Sequence, residues 1–242
     1  MFLTTRHRPT VQELIKGVVV LSGNDASAVL AEALSPDGTE NGFANLMTRR
    51  AKQLGMNNST FGNSNGWPHP KQLMSAKDLA IIAARIINEF PEYYPYFSER
   101  EFTYNDITQP NRNPLLKLGL GADGLKTGYT QDSGYGLIAS AIRGDRRLVV
   151  VVNGLHSKKE RSREPERLLE WGFREFDNYF LLNAGEVIKE ASVWLGTAPM
   201  VPLIIENDLN LTLHKKFRRE MEVTVNYVSP IPAPVKKGDR VA

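Results

Sequence analysis

Apolar residues recur at intervals of three and four over the first ninety positions, and the pattern then changes to short strand-like runs. Thr10-Val-Gln-Glu13 has the spacing of a capping box ahead of an apolar run, which predicts a helix start. A second helix is predicted from Asn24 or Asp25 to Leu34. Phe43, Leu46, Met47, Ala51 and Leu54 fall on one helical face that Gly55 ends. Ser75-Ala-Lys-Asp78 has the form of another N-terminal cap. It opens a segment from Leu79 to Asn88 that is apolar almost all round and is therefore predicted to be buried.

Glu101 to Asn105 alternates like a strand. Tyr135 to Ile142 and Leu148 to Val152, separated by the turn cluster Arg143-Gly-Asp-Arg-Arg147, predict an antiparallel hairpin with both strands mostly buried. Glu164 to Asp177 is predicted to be helical, with Leu168, Leu169, Trp171, Phe173 and Phe176 as its apolar surface. Beyond Asn178 only short β-like runs follow: Ser192 to Leu195, Val201 to Ile205, Leu209 to Leu213 and Met221 to Tyr227. The pattern predicts an α+β protein, with helices packed around an antiparallel sheet in residues 1–178 and a small β-rich domain in residues 179–242.

Composition narrows the chemistry mainly by exclusion. The 242 residues are 41% hydrophobic and 24% charged, ordinary globular usage. Thirty basic residues stand against 27 acidic ones, and the basic clusters (Arg146-Arg147, Lys158-Lys159, Lys215 to Arg219) are short and scattered, which argues against a nucleic-acid partner. There is no cysteine, so no disulfide and no thiolate metal site. His7, His69, His156 and His214 are far apart and form no metal-ligand spacing; no metal and no cofactor is expected. No apolar run approaches the ~18 residues of a membrane span, and the N-terminus lacks the apolar stretch of a secretory signal.

Two short motifs carry the candidate chemistry. Ser22-Gly23-Asn24 follows the apolar run Val18 to Leu21 and precedes a helix; Lys126-Thr127-Gly128 precedes a Gly-rich turn and the Tyr135 run. Singly, the first reads as a helix cap and the second as a turn with an exposed lysine. In this order, with helices between them and a hairpin after, they resemble the Ser-x-Asn and Lys-Thr-Gly motifs of penicillin-binding proteins and serine β-lactamases. Further stretches extend the resemblance over nearly the whole chain: Lys16 to Ala26, Ala51 to Met56, Gln109 to Asn113, Asp123 to Gly128 and Leu169 to Arg174. These are similar to the low-molecular-mass D-alanyl-D-alanine carboxypeptidases, whose fold is a transpeptidase-like domain followed, in one branch, by a small β domain.

The resemblance implies a peptidoglycan stem peptide ending in D-Ala-D-Ala as substrate and β-lactams as inhibitors. It implies that Ser22 relays protons to the leaving nitrogen and that Asn24 bonds the substrate amide and a lysine. Lys126, Thr127 and Arg161 would hold the terminal carboxylate, and Gly128 would admit an extended peptide beside the strand. Arg112 is a further basic candidate. The family's Ser-x-x-Lys nucleophile motif would lie upstream of Ser22; no Ser-x-x-Lys occurs in the 242 residues, and Thr212-Leu-His-Lys215 is the only Thr-x-x-Lys. The expectation is an N-terminally shortened and inactive carboxypeptidase, without export signal or membrane anchor, whose full-length form is periplasmic or membrane-associated. The alternatives are a non-catalytic binder of wall peptides or β-lactams on the same fold, a serine β-lactamase, and a structural α/β protein in which both motifs are coincidences.

Overall fold

The computed structural model describes residues 1–241. The chain forms two compact units, Met1–Glu170 and Trp171–Ala242. In the first unit α1 (Val11–Val19) begins with the predicted capping box, Thr10 accepting from the Glu13 amide while Glu13 accepts from that of Thr10. Its apolar end runs into α2 (Asn24–Leu34), and Leu14, Val19, Val20, Leu21 and Ala26 form a buried cluster with Tyr104. The next helix, α3 (Glu40–Gln53), buries Ala44 and Ala51.

Helix α4 (Ala76–Glu89) is capped by Ser75 as predicted. It is not buried all round: Ala83, Ile86 and Ile87 pack with Tyr94, Leu125 and Val149, and most of its other residues are half-buried or exposed. An apolar sequence thus forms a surface helix because a single packing face is enough to hold it. The predicted strand at Glu101 is half of a hairpin, β1 (Glu101–Tyr104) with β2 (Ile107–Pro110).

The main sheet has three antiparallel strands in the order β3 (Ala122–Thr130), β4 (Gly134–Arg143), β5 (Arg146–Leu155). Only the central β4 is mostly buried. The expectation for the second hairpin strand is corrected: β5 is half-buried along nearly its whole length, as an edge strand among the described residues. Helix α5 (Lys158–Glu175) starts earlier than its apolar stripe suggests, because Ser157 accepts from the Glu160 amide and caps a first turn made of charged residues.

The second unit is largely β. β6 (Phe176–Leu182) pairs with β9 (Leu209–His214), and β7 (Val187–Trp194) lies between β8 (Met200–Ile204) and the short β10 (Ile231–Pro232). Met221 to Tyr227 is not a strand, contrary to expectation. Its alternating pattern nonetheless reflects packing, since Val225 and Tyr227 lie against the core of Ala191, Leu203 and Ile231.

Candidate active site

The helix–loop–helix that carries Ser22 is shaped by the backbone. After α1, the amides of Ser22 and Gly23 return to the carbonyls of Val18 (3.2 Å) and Gly17 (2.9 Å). Ser22 takes φ +56°, the left-handed conformation that usually falls to glycine at a helix end. Gly23, not Ser22, is the N-cap residue of α2, and no side chain caps it. The hydroxyl of Ser22 is therefore not consumed in capping. It accepts a short hydrogen bond from the Lys126 ammonium, which also donates to the Thr127 carbonyl at 2.9 Å.

Lys126 lies on β3 opposite Ile138, with Thr127 opposite Leu137 and Gly128 opposite Gly136, so the second motif is strand and not turn. Strand β3 is held from behind. The buried Asn113 amide donates to the Gly124 carbonyl at 2.9 Å, and a Cβ on Gly124 would lie 2.6 Å from the Tyr94 hydroxyl, so the strand packs directly on that ring. Asn111 in turn bonds the carbonyls of Phe97 (3.3 Å) and Glu99 (2.9 Å), so that Arg112 sits between two anchored asparagines.

Ser22, Asn24, Lys126, Thr127, Gly128 and Arg161 all line one cavity of about 1330 Å³ in the first unit. Asn24, the first residue of α2, is exposed there. Arg161, from the start of α5, reaches the Gly128 carbonyl at 3.5 Å and covers the Tyr135 ring at 5.3 Å. Its Nε is buried with no partner among the described residues. Burial, and then the charges of Arg112 and Arg161, push the Lys126 ammonium down to about 8. Burial likewise lowers Arg161, opposed by Tyr135 and reinforced by Arg112. Three cations thus share a cavity, and among the described residues none of them is in an ion pair. Such a cluster suits an anion, and the Ser22 hydroxyl lies within proton-transfer distance of an amine that titrates near neutrality.

Sequence reasoning missed the rest of the lining. The loop between Gly62 and Leu73 contributes Asn65, Trp67, His69 and Gln72, and β3 contributes Tyr129 beyond the Lys-Thr-Gly motif. The turn-forming string Asn65-Gly66-Trp67-Pro68 was a visible signal for a loop. That a tryptophan in it would stay exposed could not be read from the sequence.

The family model for D-alanyl-D-alanine carboxypeptidase matches residues 1–157, and that for the penicillin-binding protein 5 C-terminal domain matches residues 176–242. The D-alanyl-D-alanine carboxypeptidase DacC of Escherichia coli is 38% identical over the whole of this chain, and DacA of Haemophilus influenzae is 39% identical over 98% of it. The chain spans 60% and 61% of the length of these two relatives. Among solved structures, penicillin-binding protein 5 of Haemophilus influenzae superposes with a TM-score of 0.89 at 38% identity, covering 100% of this chain and 70% of that one. Penicillin-binding protein D2 of Listeria monocytogenes in its ampicillin-bound form gives 0.64 at 32% identity over 70% of each chain.

Proposed function

This chain belongs to the D-alanyl-D-alanine carboxypeptidase family, and from that premise we propose that its cavity binds the carboxyl end of peptidoglycan stem peptides terminating in D-Ala-D-Ala. The protein it represents is a serine-type carboxypeptidase that removes the last D-alanine. The observation that carries this reading is the contact between the Lys126 ammonium and the Ser22 hydroxyl, which joins two motifs that lie on different elements far apart in the chain.

In this reading the peptide carboxylate sits between Lys126, the Thr127 hydroxyl and the guanidinium of Arg161, which lines the same cavity. The peptide lies along the exposed side of β3 as an added strand. Gly128 helps, since a Cβ there would point into open space and narrow the cleft from that side. Cleavage of the amide needs a proton delivered to the leaving nitrogen of D-alanine. Ser22, hydrogen-bonded to Lys126, is placed to pass one on, and the exposed Asn24 amide is placed to bond the peptide backbone. The 242 residues contain no Ser-x-x-Lys, so the covalent step is assigned to no residue of this chain, which binds its peptide reversibly. β-Lactams, which present a carboxylate beside a reactive amide, occupy the same cavity. The substrate is displayed outside the cytoplasmic membrane, and that is where the protein acts; no helix among the described residues is long and apolar enough to cross a membrane.

The test is calorimetric titration of the 242-residue chain with acetyl-D-Ala-D-Ala, alongside gel labelling with a fluorescent penicillin. Saturable peptide binding that Lys126→Ala weakens by about a hundredfold, with no covalent label, is the expected result. Covalent labelling would overturn the claim that binding is reversible, and absence of peptide binding would overturn the reading as a whole.

A further inference from the structure

One wall of the cavity has no task in the peptide-binding reading. Met1, Phe2, Gly23 and Asp25 line it beside Ser22. Two residues of this wall hold backbone conformations usually left to glycine: Ser22 at φ +56° and Phe2 at φ +58°. The Asp25 carboxylate serves both. Its Oδ1 accepts from the Met1 nitrogen at 3.0 Å and from the Ala26 amide at 2.9 Å, and its Oδ2 accepts from the Leu3 amide at 2.9 Å. These bonds grip the residues on either side of Phe2. Burial would raise the Asp25 carboxyl, but the bonds from Leu3, the Met1 nitrogen and Ala26 outweigh it and hold the group below the usual aspartate value.

The segment gripped in this way bears on Ser22. The Met1 side chain is buried over Gly17, where a Cβ would collide with its sulfur. Gly17 in turn supplies the carbonyl that accepts from the Gly23 amide at 2.9 Å, the bond that closes the end of α1 around the left-handed Ser22. A Cβ on Gly23 would lie 3.0 Å from Asp25 Oδ1 and 3.1 Å from the Gly17 carbonyl oxygen. Carboxylate, turn and Met1–Leu3 segment are therefore packed as one piece, with no room for any of them to shift alone.

We propose that Asp25 is a positioning residue: by stapling Met1–Leu3 across the turn between α1 and α2, it holds the Ser22 hydroxyl against the Lys126 ammonium. Its purpose rests on the peptide-binding reading, since a lysine aimed by Ser22 meets the peptide carboxylate in a fixed place. Asp25 acts through the backbone and contacts no reacting atom. The role suits a carboxylate, because one short side chain must accept from three donors on two sides, and an amide offers a single acceptor oxygen.

The test follows the Lys126 ammonium of the 242-residue chain by nitrogen nuclear magnetic resonance, its signal assigned with Lys126→Arg. Held by Ser22 and the Thr127 carbonyl, the ammonium is sheltered from exchange and gives a signal at mildly acidic pH. Ser22→Ala removes the signal. Asp25→Asn, which keeps shape and volume, removes it as well, and Asp25→Glu restores part of it. In parallel, affinity for acetyl-D-Ala-D-Ala falls about fivefold in Ser22→Ala and about fivefold in Asp25→Asn, with no further fall in the double variant, because both remove the same contact. A residue that merely stabilised the fold would lower the melting temperature, leave the ammonium signal intact and add its loss of affinity to that of Ser22→Ala. A signal that survives Asp25→Asn, additive losses, or no signal from the unaltered chain overturns the proposal. So does failure of both Asp25 variants to fold, since Asp25 would then serve the whole unit. If the unaltered chain binds no peptide, the peptide-binding reading fails, and the ammonium signal alone decides whether Asp25 positions Ser22.

Discussion

Strand β3 carries one charged cluster at its start and another at its middle, and the two are built on opposite rules. At its start Asp123 is fully engaged: both its oxygens accept from Arg147 at 2.8 Å and the Tyr94 hydroxyl adds a third bond at 2.8 Å. Arg147 also reaches the buried Ser140 hydroxyl at 2.6 Å and lies over the Tyr94 ring. Hydrogen bonding to Asp123 raises Arg147, while burial pushes the Tyr94 phenol up. Further along the same strand, Lys126 keeps company with Arg112 and Arg161 and has a hydroxyl and a carbonyl as partners, and its proton is held less tightly than in water. The first cluster is closed and fastens the sheet to the segment around Tyr94. The second is open, and its unsatisfied charge is what a ligand completes. Residue type alone does not separate the two roles; the partners do.

The comparison is sharpened most by removing one member from each cluster. Asp123→Ala leaves a partly buried guanidinium without its anion and should destabilise the first unit by about 2–4 kcal/mol, read from urea unfolding. Lys126→Ala should leave the melting temperature nearly unchanged or raise it, yet weaken acetyl-D-Ala-D-Ala binding by about a hundredfold. If both substitutions acted on stability alone, the distinction between closed and open clusters would fail.

A pH series probes the same difference. Lys126 titrates at about 8 in the folded chain, below the ordinary lysine value. Affinity for a carboxylate peptide should hold below that pH and decline by up to about tenfold per unit above it. Its effect on stability has the opposite sign. The unfolded chain holds the lysine proton more tightly, so the penalty of burying the ammonium is fully present below about pH 8 and is relieved as pH rises toward the ordinary lysine value. An affinity that stays flat through this range would remove Lys126 from the carboxylate site.

Smaller effects are expected elsewhere in the cavity. Arg161→Gln should weaken peptide binding by about tenfold, with Arg161→Lys restoring only part, because a lysine cannot reproduce the fork that meets a carboxylate. Gly128→Ala should fold normally, since its Cβ meets nothing within 4 Å, and should reduce affinity by a few-fold through crowding of the cleft. A large loss of stability in that variant would mean that Gly128 serves the strand rather than the ligand.

Much of this protein was legible before folding is considered. Capping signals with a fixed spacing placed the starts of α1 and α4 through Thr10 and Ser75, while α2 starts at Asn24 as expected without a side-chain cap. Two apolar runs on either side of a turn cluster gave the hairpin of β4 and β5, and two three-residue motifs marked six cavity residues once the family resemblance was added. Less legible were features decided by what packs on what. The exposed turns of α5 were hidden because their residues are charged and present no apolar stripe, and Met221 to Tyr227 alternates for packing without joining a sheet. The half-exposure of α4 and β5 follows from the number of layers covering them, which no local pattern encodes.

The sequence by itself determined most of the element types, the Ser22 and Lys126 motifs and the chemistry those residues can perform, because capping, apolar patterning and functional groups are properties of short segments. Only the tertiary structure decided that a serine after α1 meets a lysine on β3, that Arg147 is neutralised where Lys126 is not, and that Trp67 faces the same cavity. Those outcomes depend on distance in space and on burial, which arise only when distant segments pack together.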